Sequence, residues 1–274
     1  MKIPMDVTIC TGANEFQDLD FYYGAKALEG TSEVVALVAH TILNETLTKQ
    51  VPSIEGIRAN LKKSFVGSHG QKFELEIFGS EQLRVFRYIG KEGFFQIMEY
   101  YIGLATGVSS EITKDSAIRW ERSYIKDDVD LIKRIREPLL RIHKPIENQG
   151  YKVKINRGKK TVSEFNEKTL EYIAHEVQDT KSIIIEAVIT RFNSLTGTGR
   201  LLTDENLPSV SFSPKNQWKT FQFKQRKIFS KNLDRNNASE EFLPIRLEVL
   251  KVTGTQNTIK HYRVIRVVLE ENEK

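Results

Sequence analysis

Cysteine is almost absent. Cys10 is the only one in 274 residues, so no internal disulfide can form and no cysteine-rich zinc spacing can be assembled. Histidine is sparse as well: His40, His69, His143, His175 and His261 are scattered along the chain. A lone histidine on an apolar helix is read as packed and hydrogen-bonded. No catalytic residue, no metal ligand and no cofactor is assigned, and the reading leans away from an enzyme. Long apolar runs are missing too. The longest, Val34 to Leu43, is interrupted by His40 and Thr41, well short of the ~20 apolar residues that a membrane span requires. The opening MKIPMDVTICTG has no basic stretch followed by an apolar one, so no signal peptide is read, and a cytoplasmic setting with no membrane partner is expected. Gly197-Thr198-Gly199 resembles a fragment of a phosphate-binding loop but lacks both the Walker lysine and a following helix. No repeat or low-complexity tract is present.

What is present is ordinary globular material, 39% hydrophobic and 28% charged, in a chain long enough for two domains. The net charge of +5 is uneven: residues 181–274 hold 16 basic and 10 acidic side chains, and the remainder holds 25 and 26. Such asymmetry fits either a polyanion-binding module or a well-solvated surface.

The pattern along the chain predicts an α+β fold with a domain break at 180/181. The first domain, 1–180, combines a short sheet with long helices and acts as scaffold or docking module. Met5–Thr11 alternates as a strand. A helix follows, capped by Asp18 or Asp20, with apolar steps of three and four residues and a kink or close contact near Gly30. A hairpin is expected over Ile57–Val66 and Lys72–Phe78. A second helix over Glu81–Ala105 is expected to break at Gly90 or Gly93. A third runs from Lys114 to His143, with Pro138 as kink or end. After a strand at Tyr151–Ile155, Thr161 and Glu164 read as a capping box opening a helix to Val177. The second domain, 181–274, reads as a small antiparallel β-barrel. Its strands are Ile183–Phe192, Gly199–Thr203, Val210–Phe212, Trp218–Lys224, Leu243–Thr253 and Thr258–Leu269.

Three stretches carry a resemblance: LDFYYGAKALEGTSEVVALVAHTILN, RIHKPIENQGYKVKI and VITRFNSLTGTGRLLTDENLPSVSF. They resemble a bacterial two-domain family of prophage- and mobile-element-rich genomes, one with no established reaction to carry over. The resemblance implies a bacterial or phage protein involved in conflict between the two. The barrel opening, Arg191-Phe192-Asn193 followed by Gly197-Thr198-Gly199-Arg200-Leu201, is similar to the cold-shock fold. Where that family carries stacking aromatics in the second strand, this chain has Arg200, Leu201 and Leu202.

The richest candidate is WKTFQFKQRKIFSKNLDR, residues 218–235, with six cations against Asp234 and four interleaved rings. Cations neutralise phosphates and rings stack on unpaired bases. Arg191, Arg200, Trp218, Lys219, Phe221, Lys224, Arg226, Lys227 and Lys231 are the candidate nucleic-acid or polyanion site. The competing reading puts Phe221 and Phe223 in the barrel core and the lysines in solvent. A second basic cluster, Lys152, Lys154, Arg157, Lys159 and Lys160, reads as a solvated sheet edge. Two further functions stay open: a protein–protein assembly subunit or homo-oligomer in phage defence or counter-defence, and a nucleotide-processing effector whose site forms only in three dimensions.

Overall fold

A computed structural model describes residues 1–48, 55–65, 69–124, 128–237, 242–254 and 258–269. The chain divides into one unit of residues 1–125 and 130–174 and another of residues 126–129 and 175–274. The break after Ala174 falls six residues before the position read from sequence.

In the first unit, alternation builds the sheet. β1 (Lys2–Cys10) turns Ile3, Met5, Val7 and Ile9 to one side, each at most 2% exposed. β1 pairs antiparallel with β3 (His69–Ile77) and with β4 (Lys152–Arg157). β2 (Ile57–Phe65) and β5 (Lys160–Phe165) take the edges, giving the order β2-β3-β1-β4-β5. The residues joining β2 to β3, 66–68, lie outside the described ones. The buried faces of these strands share one core with α1 (Phe21–Asn44) and α2 (Ser80–Thr106).

The Asp20 carboxylate caps α1, accepting from the Tyr22 and Tyr23 amides at 2.9 and 3.1 Å. Gly30 is a close-packing position. A Cβ there would be driven into the Pro138 carbonyl oxygen and would meet Ile142 at 3.0 Å. Gly30→Ala is therefore expected to cost about 1–3 kcal/mol through overpacking, despite alanine's better helix propensity. Chemical denaturation checks it, and a gain in stability would contradict the contact. α2 breaks at Gly90, whose φ of 78° and ψ of 158° are open essentially to glycine alone. The Ser116 hydroxyl bonds the Ile89 carbonyl beside the break at 2.7 Å.

The expected third helix is covered by α3 (Asp115–Tyr124), α4 (Asp128–Ile142, containing Pro138) and α5 (Lys144–Gln149), with residues 125–127 outside the described ones. The Thr161–Glu164 capping box is a misreading. These residues belong to β5, where Val162 and Phe165 are buried against the core. The cap lies at Asn166, whose Oδ1 accepts from the Lys168 and Thr169 amides while Thr169 Oγ1 accepts from the Asn166 amide at 2.8 Å. It opens α6 (Glu167–Ala174).

The second unit is a closed barrel. β7 (Ile183–Phe192), β8 (Gly199–Leu202), β9 (Val210–Pro214), β10 (Ile245–Thr253) and β11 (Ile259–Val267) close in the order β7-β8-β9-β11-β10-β7. β6 (Val177–Gln178) adds to the β10 edge. All pairs are antiparallel except β9 with β11, which run parallel. A helix, α7 (Phe223–Asn237), joins β9 to β10. This Greek-key order, with its helix between the third and fourth barrel strands, is OB-fold connectivity.

One expected strand is absent. Residues 218–224 form a short 3-10 turn, Trp218–Thr220, leading into α7. The period-two spacing of Phe221 and Phe223 imitates a strand. The three- and four-residue spacing of Ile228, Phe229, Asn232, Leu233 and Asn236 then sets a helix. Asn232 fixes α7 to the barrel: its Oδ1 accepts from the Ile189 amide at 2.8 Å and its Nδ2 donates to the Leu243 carbonyl at 2.7 Å. Ile189 adjoins a bulge in β7.

Candidate nucleic-acid interface

The nine residues assigned from sequence separate into structural and exposed groups. Trp218 and Phe221 are each 8% exposed and Phe229 is 1% exposed. With Phe192 and Phe212 they form a ring cluster whose neighbouring centroids lie 5.1–6.5 Å apart. These rings fill the barrel, so Trp218 and Phe221 are not base-stacking platforms. Trp218 also donates from Nε1 to the Ser194 carbonyl at 2.9 Å. Its ring occupies the space a Cβ at Gly197 would need, which explains the glycine at that turn without a phosphate. Arg226 is structural as well: its Nε donates to the Phe221 carbonyl at 2.8 Å, its Nη2 to the Lys219 carbonyl, and its guanidinium lies over the Trp218 ring. Arg200 is 6% exposed, and its guanidinium donates to both the hydroxyl and the carbonyl of Ser209.

Of the remaining cations, Arg191 is half-buried and the four lysines are exposed. Lys219 stands on the 3-10 turn. Lys224, Lys227 and Lys231 all lie on α7 together with Arg235, which the sequence reading counted in the basic run without assigning it to the site. At 100° per residue these four fall within about 80° of arc, one helix face. None has an ion-pair partner among the described residues. Phe223, 68% exposed, is the ring that remains accessible in this segment, and the Lys227 ammonium sits 4.7 Å from its centroid.

The second basic cluster behaves differently. Lys152 and Lys154 pair with Glu164 at 3.7 and 3.0 Å, and Arg157 and Lys160 pair with Glu92 at 2.7 and 3.0 Å. Both carboxylates are held below the usual range: Glu92 by its hydrogen bonds from Arg157 and Lys160, and Glu164, against the opposing effect of its burial, by the hydrogen bond and charge of Lys154 and the charge of Lys152. Four of these five cations thus share two carboxylates, and only Lys159 and Lys160 flank or lie on the edge strand β5; Lys152, Lys154 and Arg157 stand on β4, an inner strand, so the sheet-edge reading does not hold for them.

Arg191 opens a polar row across the barrel wall. Register pairs Arg191 with Arg200, Arg200 with Ser211 and Ser211 with His261. Strands β8, β9 and β11 contain no acidic residue. Within that wall, Arg263 Nη1 donates to Ser213 Oγ at 2.8 Å, Ser213 Oγ lies 2.7 Å from His261 Nε2, His261 Nδ1 lies 2.8 Å from Ser211 Oγ, and Ser211 Oγ donates to the Lys260 carbonyl at 3.2 Å. The ends set the direction of this relay, because a guanidinium only donates and a carbonyl only accepts. Ser213 therefore donates to Nε2, and the imidazole carries its proton on Nδ1. Sequence reading missed Ser211, Ser213, His261 and Arg263, which come together only through the parallel pairing of β9 with β11.

Among the described residues, no helix is long and apolar enough to cross a membrane, and no three His, Cys, Asp or Glu side chains converge as a metal site. No family model, curated protein or solved structure matches the chain.

Proposed function

We propose that the barrel unit binds single-stranded nucleic acid, with the exposed face of α7 as its phosphate track. The observation that carries this reading is the contrast in charge pairing. Lys224, Lys227, Lys231 and Arg235 share one helix face without a carboxylate partner among the described residues, whereas Lys152, Lys154, Arg157 and Lys160 are paired. Unpaired, exposed cations are the groups that release counterions from a polyanion. Phe223 supplies one accessible ring for base stacking, an interaction of about 1–3 kcal/mol that tolerates any base. OB-type barrels bind oligonucleotides and oligosaccharides, a fold-level analogy that supports the reading without identifying the surface. The contacts are backbone-directed, so binding is sequence-tolerant. The bacterial or phage setting implied by the sequence resemblance belongs to the same proposal.

A fluorescent oligothymidylate of about 12 residues, within the usual site size of such barrels, tests this by anisotropy at low salt. The combined Lys224→Gln, Lys227→Gln and Lys231→Gln variant is expected to bind roughly tenfold or more weakly with an unchanged melting temperature. Equal binding by the two proteins would overturn the assignment to α7.

A further inference from the structure

The geometry points to a phosphate-monoester seat on the wall formed by β9 and β11, centred on Arg263. It is independent of the α7 track. Arg263 offers five N–H donors in a planar fork, and one of them is engaged, by Ser213. The others have no protein acceptor among the described residues. The half-exposed guanidinium is thus oriented by a buried hydroxyl while most of its hydrogen-bonding capacity remains available. A fork held in this way matches two oxygens of one phosphate.

The surroundings favour an anion. The acid-free strands β8, β9 and β11 carry Arg200, Lys260, Arg263 and Arg266. Lys260 and Arg266 are paired with Glu176 and Glu248, respectively, so Arg263 is the cation on this wall with capacity to spare. The serine hydroxyls and the imidazole form a hydrogen-bonded chain beside it. A phosphate oxygen would compete with His261 Nε2 for the single proton of Ser213, so the free donors of the Arg263 fork carry the binding. Two sources share this chemistry, free phosphate and the terminal phosphate of an oligonucleotide.

The test uses the full chain at about 150 mM salt, where the Debye length of about 8 Å weakens the exposed α7 track more than a half-buried fork. Calorimetry compares a thymidine tetranucleotide with and without a 5′-phosphate. The wild type is expected to bind the phosphorylated form roughly tenfold more tightly, as one charge-assisted contact allows. Arg263→Gln should abolish that difference, and Arg263→Lys, which keeps the charge but not the fork, should restore little of it. The α7 glutamine variant should bind both forms more weakly yet keep their ratio. Millimolar inorganic phosphate should displace the phosphorylated form if the seat accepts the free anion; no displacement assigns the seat to nucleotide termini. If neither tetranucleotide binds, inorganic phosphate must still raise the melting temperature of the wild type and not of Arg263→Gln. Equal affinity for the two forms, a preference that survives Arg263→Gln, or no phosphate-dependent shift in that last case overturns the seat.

Discussion

Phe229→Ala is expected to destabilise the barrel unit by about 3–5 kcal/mol, the cost of removing a fully buried ring from a core that relaxes only partly. Phe229 is 1% exposed and contacts Phe192, Phe212 and Trp218 with centroids 5.3–5.7 Å away. It also holds α7 against the barrel, so its loss removes packing and loosens the segment that presents the basic face. Trp218 lies in the barrel unit and Trp120 in the other. Trp218 fluorescence in a Trp120→Phe background therefore follows barrel unfolding in urea. A lowered midpoint is expected, with a smaller drop for Phe229→Leu. A loss below about 1 kcal/mol would show that the ring cluster is not the keystone that its burial implies.

The second large effect is a pH dependence centred on His143. The ring is fully buried, with Nδ1 on the Leu139 carbonyl at 2.7 Å, Nε2 on the Thr169 hydroxyl at 2.8 Å and an edge-on contact to Phe165. The carbonyl can only accept, which places the proton on Nδ1, and the single proton of the Thr169 hydroxyl is shared between Nε2 and the Asn166 carbonyl, each 2.8 Å away. Burial is the main cause that pushes the imidazole from its ordinary 6.5 down to about 4. The unfolded chain consequently binds a proton that the folded one refuses between these two values. Stability from the neutral ring is complete above about 6.5 and is lost as pH falls towards about 4. The loss is about 3 kcal/mol. His40, also buried and lowered by burial, adds in the same direction. Denaturation free energies of wild type and His143→Asn from pH 7 to pH 4 test this: the variant profile is expected to be flatter by about that amount. Parallel profiles would contradict it.

Residues whose local chemistry and tertiary role agree were legible from the chain alone. β1 alternates because one face is buried, Asp20 caps because an acidic side chain precedes a helical period, and Gly90 breaks α2 because its backbone conformation suits glycine. The misreadings share a cause. Trp218, Phe221 and Phe223 carry a strand-like alternation, but the rings of Trp218 and Phe221 enter the barrel from a turn, and the helical period begins immediately afterwards. Thr161 and Glu164 satisfy a capping pattern and a strand pattern equally, and pairing with β4 decides between them. The polar relay had no local signature. Ser213 and Arg263 lie 50 residues apart, and only the register of β9 on β11 brings them together. Which cations are paired was equally hidden, since Glu92 reaches Arg157 and Lys160 from a helix far away in sequence.

The salt dependence of oligothymidylate binding, compared between the wild type and the Lys224/Lys227/Lys231 glutamine variant, examines the phosphate track most directly. Four phosphate contacts to a single strand give a slope of log K against log salt of about −3, and removing three of the cations should lower its magnitude by about 2. Identical slopes for the two proteins, or a wild-type affinity indifferent to salt, would contradict the role given to α7.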